Sequence, residues 1–352
     1  MRQESGDNSS NIQIAGDFHH HGITVSDAFE ISRSVVKQEL AIYTNEALQT
    51  AENRFETIAK KTIDKIIIEN SNLFPKFKDP AIQVALNETY KKYIETGDDE
   101  LGDNLINMLI DRLEVESRNT KQFIIDDARS ILPKLSVSNL SFLALHVFSM
   151  LSIPTNNRNE YKVILERLKK VTTNIANISN IDIMYLKQSG CAMGTPMIHV
   201  NEKIADSLLK TYEYYFSEGI SLDSFNELAK RQQLNRKHDL FMNAISLSDM
   251  FTNNYVGLRF SSRTRFENFF LQNNMPEIKA FFEEFITLQK KPDANNVKSF
   301  HSSIDNNWDS IFALWDRDVV TTLSIMPVGL YIGSVYLGRV LDMKIPQDIF
   351  YQ

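Results

Sequence analysis

The chain is poor in cysteine, glycine and proline, and each scarcity excludes a class of structure. Its single cysteine, Cys191, excludes an intramolecular disulfide and a metal site built from several cysteines. So little cysteine is typical of a reducing compartment, and we expect a cytoplasmic protein. Only 12 glycines and 9 prolines occur in 352 residues, which favours long helices over strands joined by many turns.

Charge and hydropathy restrict the partners. The formal net charge is -7, whereas broad nucleic-acid binding requires a basic face, so nucleic acid is not an expected partner. The N-terminus has no basic region followed by an apolar run, and we expect no signal peptide. Residues 319–338 carry no charge but include threonine, serine, proline and glycine. We interpret them as a buried strand–helix element and expect no membrane partner.

The sequence predicts a mainly α fold, with a multi-helix body, a short N-terminal β motif, a long N-terminal helix and a small C-terminal strand–helix–strand unit. The predicted segments are a polar β or oligomerisation motif at 1–24, a long helix at 25–72, a helical body at 73–300, and a C-terminal helix with the strand–helix–strand unit at 301–352.

The long helix is predicted from an uninterrupted apolar period. Between Ser26 and about Asn70 there is neither glycine nor proline, and apolar residues recur at helical spacing. A single helix of this length would measure roughly 65 Å and would project from the body or pair with another chain. A break near Tyr43–Asn45 is the alternative.

Caps and periodicity indicate the other elements. Asp79 followed by Pro80 opens a helix that stops at Gly97, and Asp98 opens the next. Residues 177–199 are predicted to be irregular. Further helices are predicted at 119–132, 137–152, 157–176, 201–216, 222–231, 237–251, 262–272, 276–289 and 305–316. The C-terminal unit is predicted as a strand at 321–325, a helix from Pro327 and a returning strand at 345–352.

The segment GDNSSNIQIAGD at 6–17 is the strongest candidate for a functional element. In an extended chain Ile12 and Ile14 face one side, and Asn11 and Gln13 face the other. Copies stacked across subunits could form amide ladders beside a dry isoleucine face. A tail, or a strand in the chain's own sheet, is the alternative. The predicted oligomerisation residues are Asn8, Asn11, Ile12, Gln13, Ile14, Gly16 and Asp17.

Candidate catalytic and metal-binding residues are few. The run His19–His21 has imidazoles that suit zinc or copper, but it lacks further ligands, so a solvated run is favoured and no metal or cofactor is predicted. No base is placed near Cys191, and adjacent acids such as Asp126 and Asp127 diverge on a helix. Phosphate-loop, dinucleotide and zincin motifs are absent from the sequence. We therefore predict no catalytic residue.

The most basic stretches lie at 231–238 and 259–266, where Phe260 and Phe266 alternate with arginines. Such mixtures can bind single-stranded nucleic acid, although solvated loops are the favoured interpretation in an acidic chain. The candidate contacts are Arg231, Arg236, Lys237, Arg259, Arg263 and Arg265.

Several stretches in a fixed order resemble a known family. GDNSSNIQIAGD, GITVSDAFEI, DPAIQVALNETYKKYIETGDDELGDNLINMLIDR and LSIMPVGLYIGSVYL resemble a bacterial family known mainly from genome annotation and named for Legionella and Veillonella representatives. The resemblance implies a bacterial cytoplasmic protein and supplies no catalytic residues. The leading motif also resembles segments that precede unrelated domains in proteins associated with phage defence. Its Ile-Gln-Ile core is similar to amyloid signalling motifs, although Ala15 departs from that pattern and favours a closed ring of strands over an open fibril.

We therefore expect a non-enzymatic, self-assembling interaction protein that acts as a sensor or scaffold in defence against phage. It would be a homo-oligomer with a further protein partner, which could be derived from the phage. The first alternative is a toxic effector, either an enzyme or a membrane-acting protein, that assembly activates. The second is a nucleic-acid-binding protein.

Overall fold

The computed structural model describes residues 23–115, 118–151, 153–176, 178–195, 201–231, 245–247, 255–273 and 276–346, and it confirms the mainly α fold. The chain forms two compact units, Met1–Pro133 and Lys134–Gln352. The boundary between them lies inside the segment 73–300 that was predicted as one body. The predicted N-terminal β motif lies outside the described residues.

The described part of unit 1 is helical. Its elements are α1 (Val25–Leu40), α2 (Asn45–Asn70), a 3₁₀ helix (Ser71–Lys78), α3 (Pro80–Thr96), α4 (Asp99–Glu114) and α5 (Thr120–Ile131).

The single helix predicted over 25–72 is wrong, and the alternative break is confirmed. α1 ends at Leu40, and Thr44 is extended, with ψ at 162°, before α2 begins. The break lets both helices bury one face in the same core, where Val36 of α1 and Phe55 of α2 are buried together with Tyr90 of α3. Burying both apolar faces is more favourable than extending them into water, so this segment does not project from the body.

Side-chain caps set the helix starts of unit 1. The backbone N–H of Asp27 donates to the Thr24 hydroxyl at 3.1 Å, and the backbone N–H of Thr24 donates to the Asp27 carboxylate at 2.8 Å. This capping box pairs two amides that would otherwise lack partners. Asp79 caps α3 as predicted, and Gly97 ends α3 in the left-handed region with φ at 64°.

Unit 2 combines helices with two small antiparallel sheets. Its helices are α6 (Val137–Met150), α7 (Arg158–Arg167), α8 (Lys169–Ile175), α9 (Asn180–Gln188), α10 (Ile204–Phe216), α11 (Leu222–Arg231), α12 (Arg263–Asn273), α13 (Pro276–Leu288), α14 (Ala294–Ile304), α15 (Asn307–Trp315), α16 (Asp318–Thr321) and α17 (Pro327–Leu341). Its strands are β1 (Ala192–Gly194), β2 (Ile220–Ser221), β3 (Ile245–Leu247), β4 (Tyr255–Leu258) and β5 (Leu323–Ile325), paired as β1–β5 and β2–β4–β3.

Two predictions for unit 2 are corrected, and one helix was not predicted. The helix predicted at 237–251 is wrong at Ile245–Leu247, because these residues form β3. Their backbone pairs with β4 and does not make the hydrogen bonds of a helix. The region 177–199, predicted to be irregular, contains α9, which begins with a Ser179–Asp182 capping box, and β1. The sequence interpretation also missed α14, which is capped by Asp293.

The predicted C-terminal strand and helix are confirmed as β5 and α17. Most of the predicted returning strand lies outside the described residues, and the partner of β5 that the structure describes is β1. None of the helices in the described ranges combines the length and the hydropathy needed to cross a bilayer.

Glycines allow α17 to pack closely on its neighbours. A Cβ built at Gly333 would lie 2.6 Å from the Leu143 carbonyl oxygen of α6, and one at Gly329 would lie 2.2 Å from the Cys191 carbonyl oxygen. Both distances are shorter than van der Waals contact, so only glycine fits without a backbone shift. The backbone amide of Met326 also donates to the Cys191 carbonyl at 2.9 Å.

Replacing Gly333 with alanine tests this close approach. Helix propensity alone would make the alanine variant more stable by about 1 kcal/mol. Overpacking against the Leu143 carbonyl should instead lower the free energy of unfolding by roughly 1–3 kcal/mol. Urea denaturation of the full chain measures the difference, and a variant as stable as the wild type would contradict the packing.

Candidate functional site

The predicted oligomerisation residues lie outside the described residues, as do His19–His21, Arg236 and Lys237. In the part of the chain that the structure describes, no cluster of three or more histidine, cysteine or acidic side chains is arranged to hold a metal ion.

Two of the candidate basic residues that the structure describes form ion pairs with glutamates. Arg231 pairs with Glu284, and Arg263 donates to Glu267 at 2.8 Å and to Glu283 at 2.6 Å. The hydrogen bond to Glu267 is the largest cause that raises the pKa of Arg263.

The phenylalanines of the same stretch belong to an aromatic cluster in unit 2. The ring centroids of Phe260 and Phe266 lie 5.7 Å apart in an edge-on arrangement, and Phe266 is buried. Arg259 is half-buried and Arg265 is exposed. The structure therefore does not gather these residues into an open stacking face of the kind that single-stranded nucleic acid requires.

Asp126 and Cys191, which were considered as candidate catalytic residues, have roles or surroundings that explain them without catalysis. Asp126 accepts from Arg112 Nε at 3.1 Å and from Arg129 Nη1 at 3.4 Å, whereas Asp127 is exposed. Both arginines are almost fully buried, so Asp126 balances charge that would otherwise be costly.

Cys191 is buried, and burial raises the pKa of its thiol, which disfavours the reactive thiolate.

A cavity of about 320 Å³ in unit 2 combines polar and apolar walls. Its size is at the lower end of the range for small-molecule sites. The apolar side chains that line it are Met150, Trp315, Ile325 and Leu330. We call this cavity, which His146 also lines, the inner chamber.

His146 is the distinctive polar group of the inner chamber. Its residue is 5% exposed, and Nδ1 is buried with no hydrogen-bond partner. Burial lowers the pKa of His146 to about 4, so the ring is neutral at pH 7. A neutral imidazole offers one donor and one acceptor, and leaving one of them unpaired in the interior costs free energy.

Two serines near His146 already have partners. The Ser149 hydroxyl donates to the His146 carbonyl at 2.7 Å, and the Ser207 hydroxyl donates to the Ser149 carbonyl at 2.7 Å. The second bond satisfies a carbonyl in the last turn of α6, which has no partner within the helix. The imidazole of His146 receives neither of them.

His301 is also buried, but both of its ring nitrogens are paired. Its Nδ1 donates to the Val297 carbonyl at 2.8 Å, and the Tyr161 hydroxyl therefore donates to Nε2 at 3.0 Å. Burial lowers the pKa of His301 to about 4 as well. The contrast identifies His146 as a group with unused hydrogen-bonding capacity.

An acidic cleft of about 720 Å³ adjoins the inner chamber, and Asn201 and Glu202 line both. We call it the outer cleft. Four carboxylates line it together with two lysines. They are Glu202, Asp206, Asp316 and Asp318, with Lys203 and Lys210.

Each lysine of the outer cleft has an acidic partner. Lys210 pairs with Glu202, and Lys203 lies 3.4 Å from Asp316. Among the described residues, Asp206 and Asp318 have no ion pair. Asp316 also lies 3.8 Å from Lys298, so three lysines contact carboxylates of the outer cleft and its excess of negative charge is small.

Sequence reasoning missed this site because its residues are far apart in the chain. His146 lies in a mainly apolar helix, and a single histidine there is usually a core residue. Asp206 and Asp318 come together only after folding. One signal was present: α6 carries His146 and Ser149 among otherwise apolar residues in its last two turns.

Unit 1 has a separate cleft of about 530 Å³, lined by residues of α1, the break and α2. Its walls mix Leu40 and Leu48 with charged residues such as Arg33 and Lys37.

On unit 2, Ile181, which is 77% exposed, and Met184, which is 55% exposed, lie one turn apart on α9. These two side chains form a small exposed apolar area, whereas protein contacts are marked by larger contiguous patches.

Comparison with known proteins identifies a family. The model of an uncharacterised protein family, named after a Veillonella representative, matches residues 22–350, and the chain belongs to this family. The match begins after the segment at 6–17, so it does not include the leading motif. No curated protein and no solved structure matches the chain.

The buried histidines predict a fall in stability on mild acidification. Unfolded histidine binds a proton near pH 6.5, whereas His146 and His301 resist protonation until about pH 4 in the folded state. The unfolded chain therefore binds more protons in this window, and the free energy of unfolding should decrease as the pH falls from about 6.5 towards about 4.

Urea denaturation at about pH 7.5 and about pH 5 measures this loss. His146→Phe removes one titrating group and should reduce the loss of stability between the two conditions. An identical loss in the wild type and the variant would contradict a neutral, buried His146.

Proposed function

We propose that this protein is a non-enzymatic interaction protein that assembles through its N-terminal segment, with the helical units sensing or holding a partner. The observation that carries the proposal is that the segment at 6–17 lies outside the part of the chain that the family model matches. The family match begins at residue 22. The capping box at Thr24 starts α1 with hydrogen bonds to Asp27, so the start of this helix is defined by residues within the matched part of the chain. A segment outside the family body, rich in amides around Ile12 and Ile14, is suited to pairing with copies of itself.

The residues weighed for other functions support this choice. Cys191 is buried with a raised thiol pKa, and Asp126 balances two buried arginines. Arg231 and Arg263 are paired with carboxylates.

A role in bacterial defence against phage is part of the proposal, and it rests on the resemblance of the leading motif alone. In that role the assembled chains would serve as a sensor or scaffold, and the partner would be a protein of the phage or of the host. The proposed cellular site is the cytoplasm.

Self-assembly is tested by changing the isoleucines in the full-length chain. Ile12→Lys and Ile14→Lys together place charges on the proposed dry face, where each would have to be desolvated. We expect the wild type to form an oligomer and the double variant to fall to the mass of a single chain, 40.5 kDa. Light scattering after size-exclusion chromatography measures both masses.

The matched control is Ser9→Lys with Ser10→Lys, which adds the same charge beside the Ile-Gln-Ile core. It should retain the mass of the wild type. A monomeric wild type, or an oligomer that the isoleucine changes leave intact, would sink the assembly proposal.

A further inference from the structure

The inner chamber is lined by a buried histidine whose hydrogen-bonding capacity is unused. We propose that the inner chamber binds a small uncharged carbonyl compound with an apolar group, whose oxygen accepts a hydrogen bond from Nε2 of His146. This inference goes beyond the proposed assembly and does not depend on it, because the residues that line the inner chamber all lie within unit 2.

His146 meets the inner chamber with one edge of its ring. The residue is 5% exposed, and Nδ1 is enclosed by protein without a hydrogen-bond partner. Nε2 also lacks a partner among the described residues, but it is not enclosed in the same way. A ligand in the chamber can therefore reach the ring at Nε2 and not at Nδ1.

The position of the ring proton decides which role Nε2 has in a hydrogen bond. Burial lowers the pKa of His146 to about 4, so the ring is neutral at pH 7 and carries one proton. A proton on Nδ1 would form an N–H group enclosed in protein without an acceptor, and such groups are rare in folded proteins. The proton therefore lies on Nε2, which makes Nε2 a donor that requires an acceptor in the ligand.

Several other polar groups of the inner chamber already use their donors within the fold. Ser149 and Ser207 donate their hydroxyl protons to backbone carbonyls, and the amide of Asn201 donates to two more. Trp315 and Ser324 also line the chamber, and their side-chain donors have no partner within the described ranges. A carbonyl oxygen can accept from such unused donors without bringing a donor of its own that needs a partner.

The charge of the inner chamber disfavours ionic ligands. Among the described residues that line it, Glu202 is the one charged side chain, and it pairs with Lys210. An anionic ligand would approach this carboxylate in a chamber whose described lining has no cation. An ammonium group has only donors and cannot accept a hydrogen bond from Nε2. The chamber therefore favours an uncharged acceptor.

The walls of the inner chamber favour an apolar group beside the carbonyl. The Trp315 ring stacks on Phe142 with centroids 5.1 Å apart, and Phe142 precedes His146 by four residues on α6. Residues four apart lie on one face of a helix, so the indole and the imidazole line neighbouring parts of the wall. A cavity of about 150 Å³ holds benzene, so the chamber, at about 320 Å³, accommodates a substituted benzene ring.

Three ligands with the same ring test the proposal on the full chain. Acetophenone joins a phenyl ring to a carbonyl and a methyl group, benzoate has a charged oxygen in place of that methyl group, and toluene lacks the oxygen. Isothermal titration calorimetry at neutral pH should show saturable binding of acetophenone, binding of toluene that is weaker by about fivefold, and no binding of benzoate. Equal affinities for acetophenone and either of the others, or no saturable acetophenone binding up to about 10 mM, would overturn the proposal.

Variants then locate the hydrogen bond. His146→Leu removes the donor and should weaken acetophenone binding by about fivefold while leaving toluene binding unchanged. His146→Gln is the matched control, because its amide N–H group can take the place of Nε2–H and should retain most of the affinity for acetophenone.

Circular dichroism establishes that each variant is folded. An acetophenone affinity in His146→Leu equal to that of the wild type would refute the assignment to His146. A parallel loss of acetophenone and toluene would show that His146 only shapes the wall, and the proposed hydrogen bond would be wrong. If the leucine variant does not fold, the comparison of the three ligands on the wild type decides the matter.

Discussion

The close contact between α6 and α17 is the constraint on which unit 2 depends. Gly333 brings the two helix backbones together at Leu143, and Gly329 brings α17 against the backbone of Cys191. The same contact sets Leu330 and His146 on two walls of the inner chamber. A single bulky residue in place of either glycine would alter the core and the candidate site together, because both are built on this packing.

Local signals in the sequence were sufficient for much of the fold. The scarcity of glycine and proline indicated helices, and Asp79 with Pro80 and Asp98 marked helix starts that the structure retains. Elements whose structure depends on contacts with distant parts of the chain were not predicted correctly. β3 was assigned to a helix because its pairing with β4 across an intervening segment leaves no mark on its own periodicity. The break at Thr44 was ambiguous because both arms continue the same apolar period.

The candidate site could not have been predicted from the sequence for a related reason. No motif joins His146 to Asp206 and Asp318, and each has an ordinary explanation when considered alone. What distinguishes His146 is the lack of a partner for Nδ1, and that is visible only by comparison with His301, whose two ring nitrogens are both paired. Pattern reasoning identifies residue types in a segment, whereas an unmet hydrogen bond is a property of the packed interior.

The hydrogen bond between Tyr161 and His301 joins residues that are 140 positions apart, and the α6–α17 contact spans a still longer stretch of chain. Contacts of such high sequence separation form late, because closing a long loop costs entropy before any burial offsets it. During synthesis, residues 23–133 can complete their core while the rest of the chain is still being made. Unit 2 must wait for its last long helix, so a ribosome that stalls before residue 327 would release a chain with one finished unit and one open core.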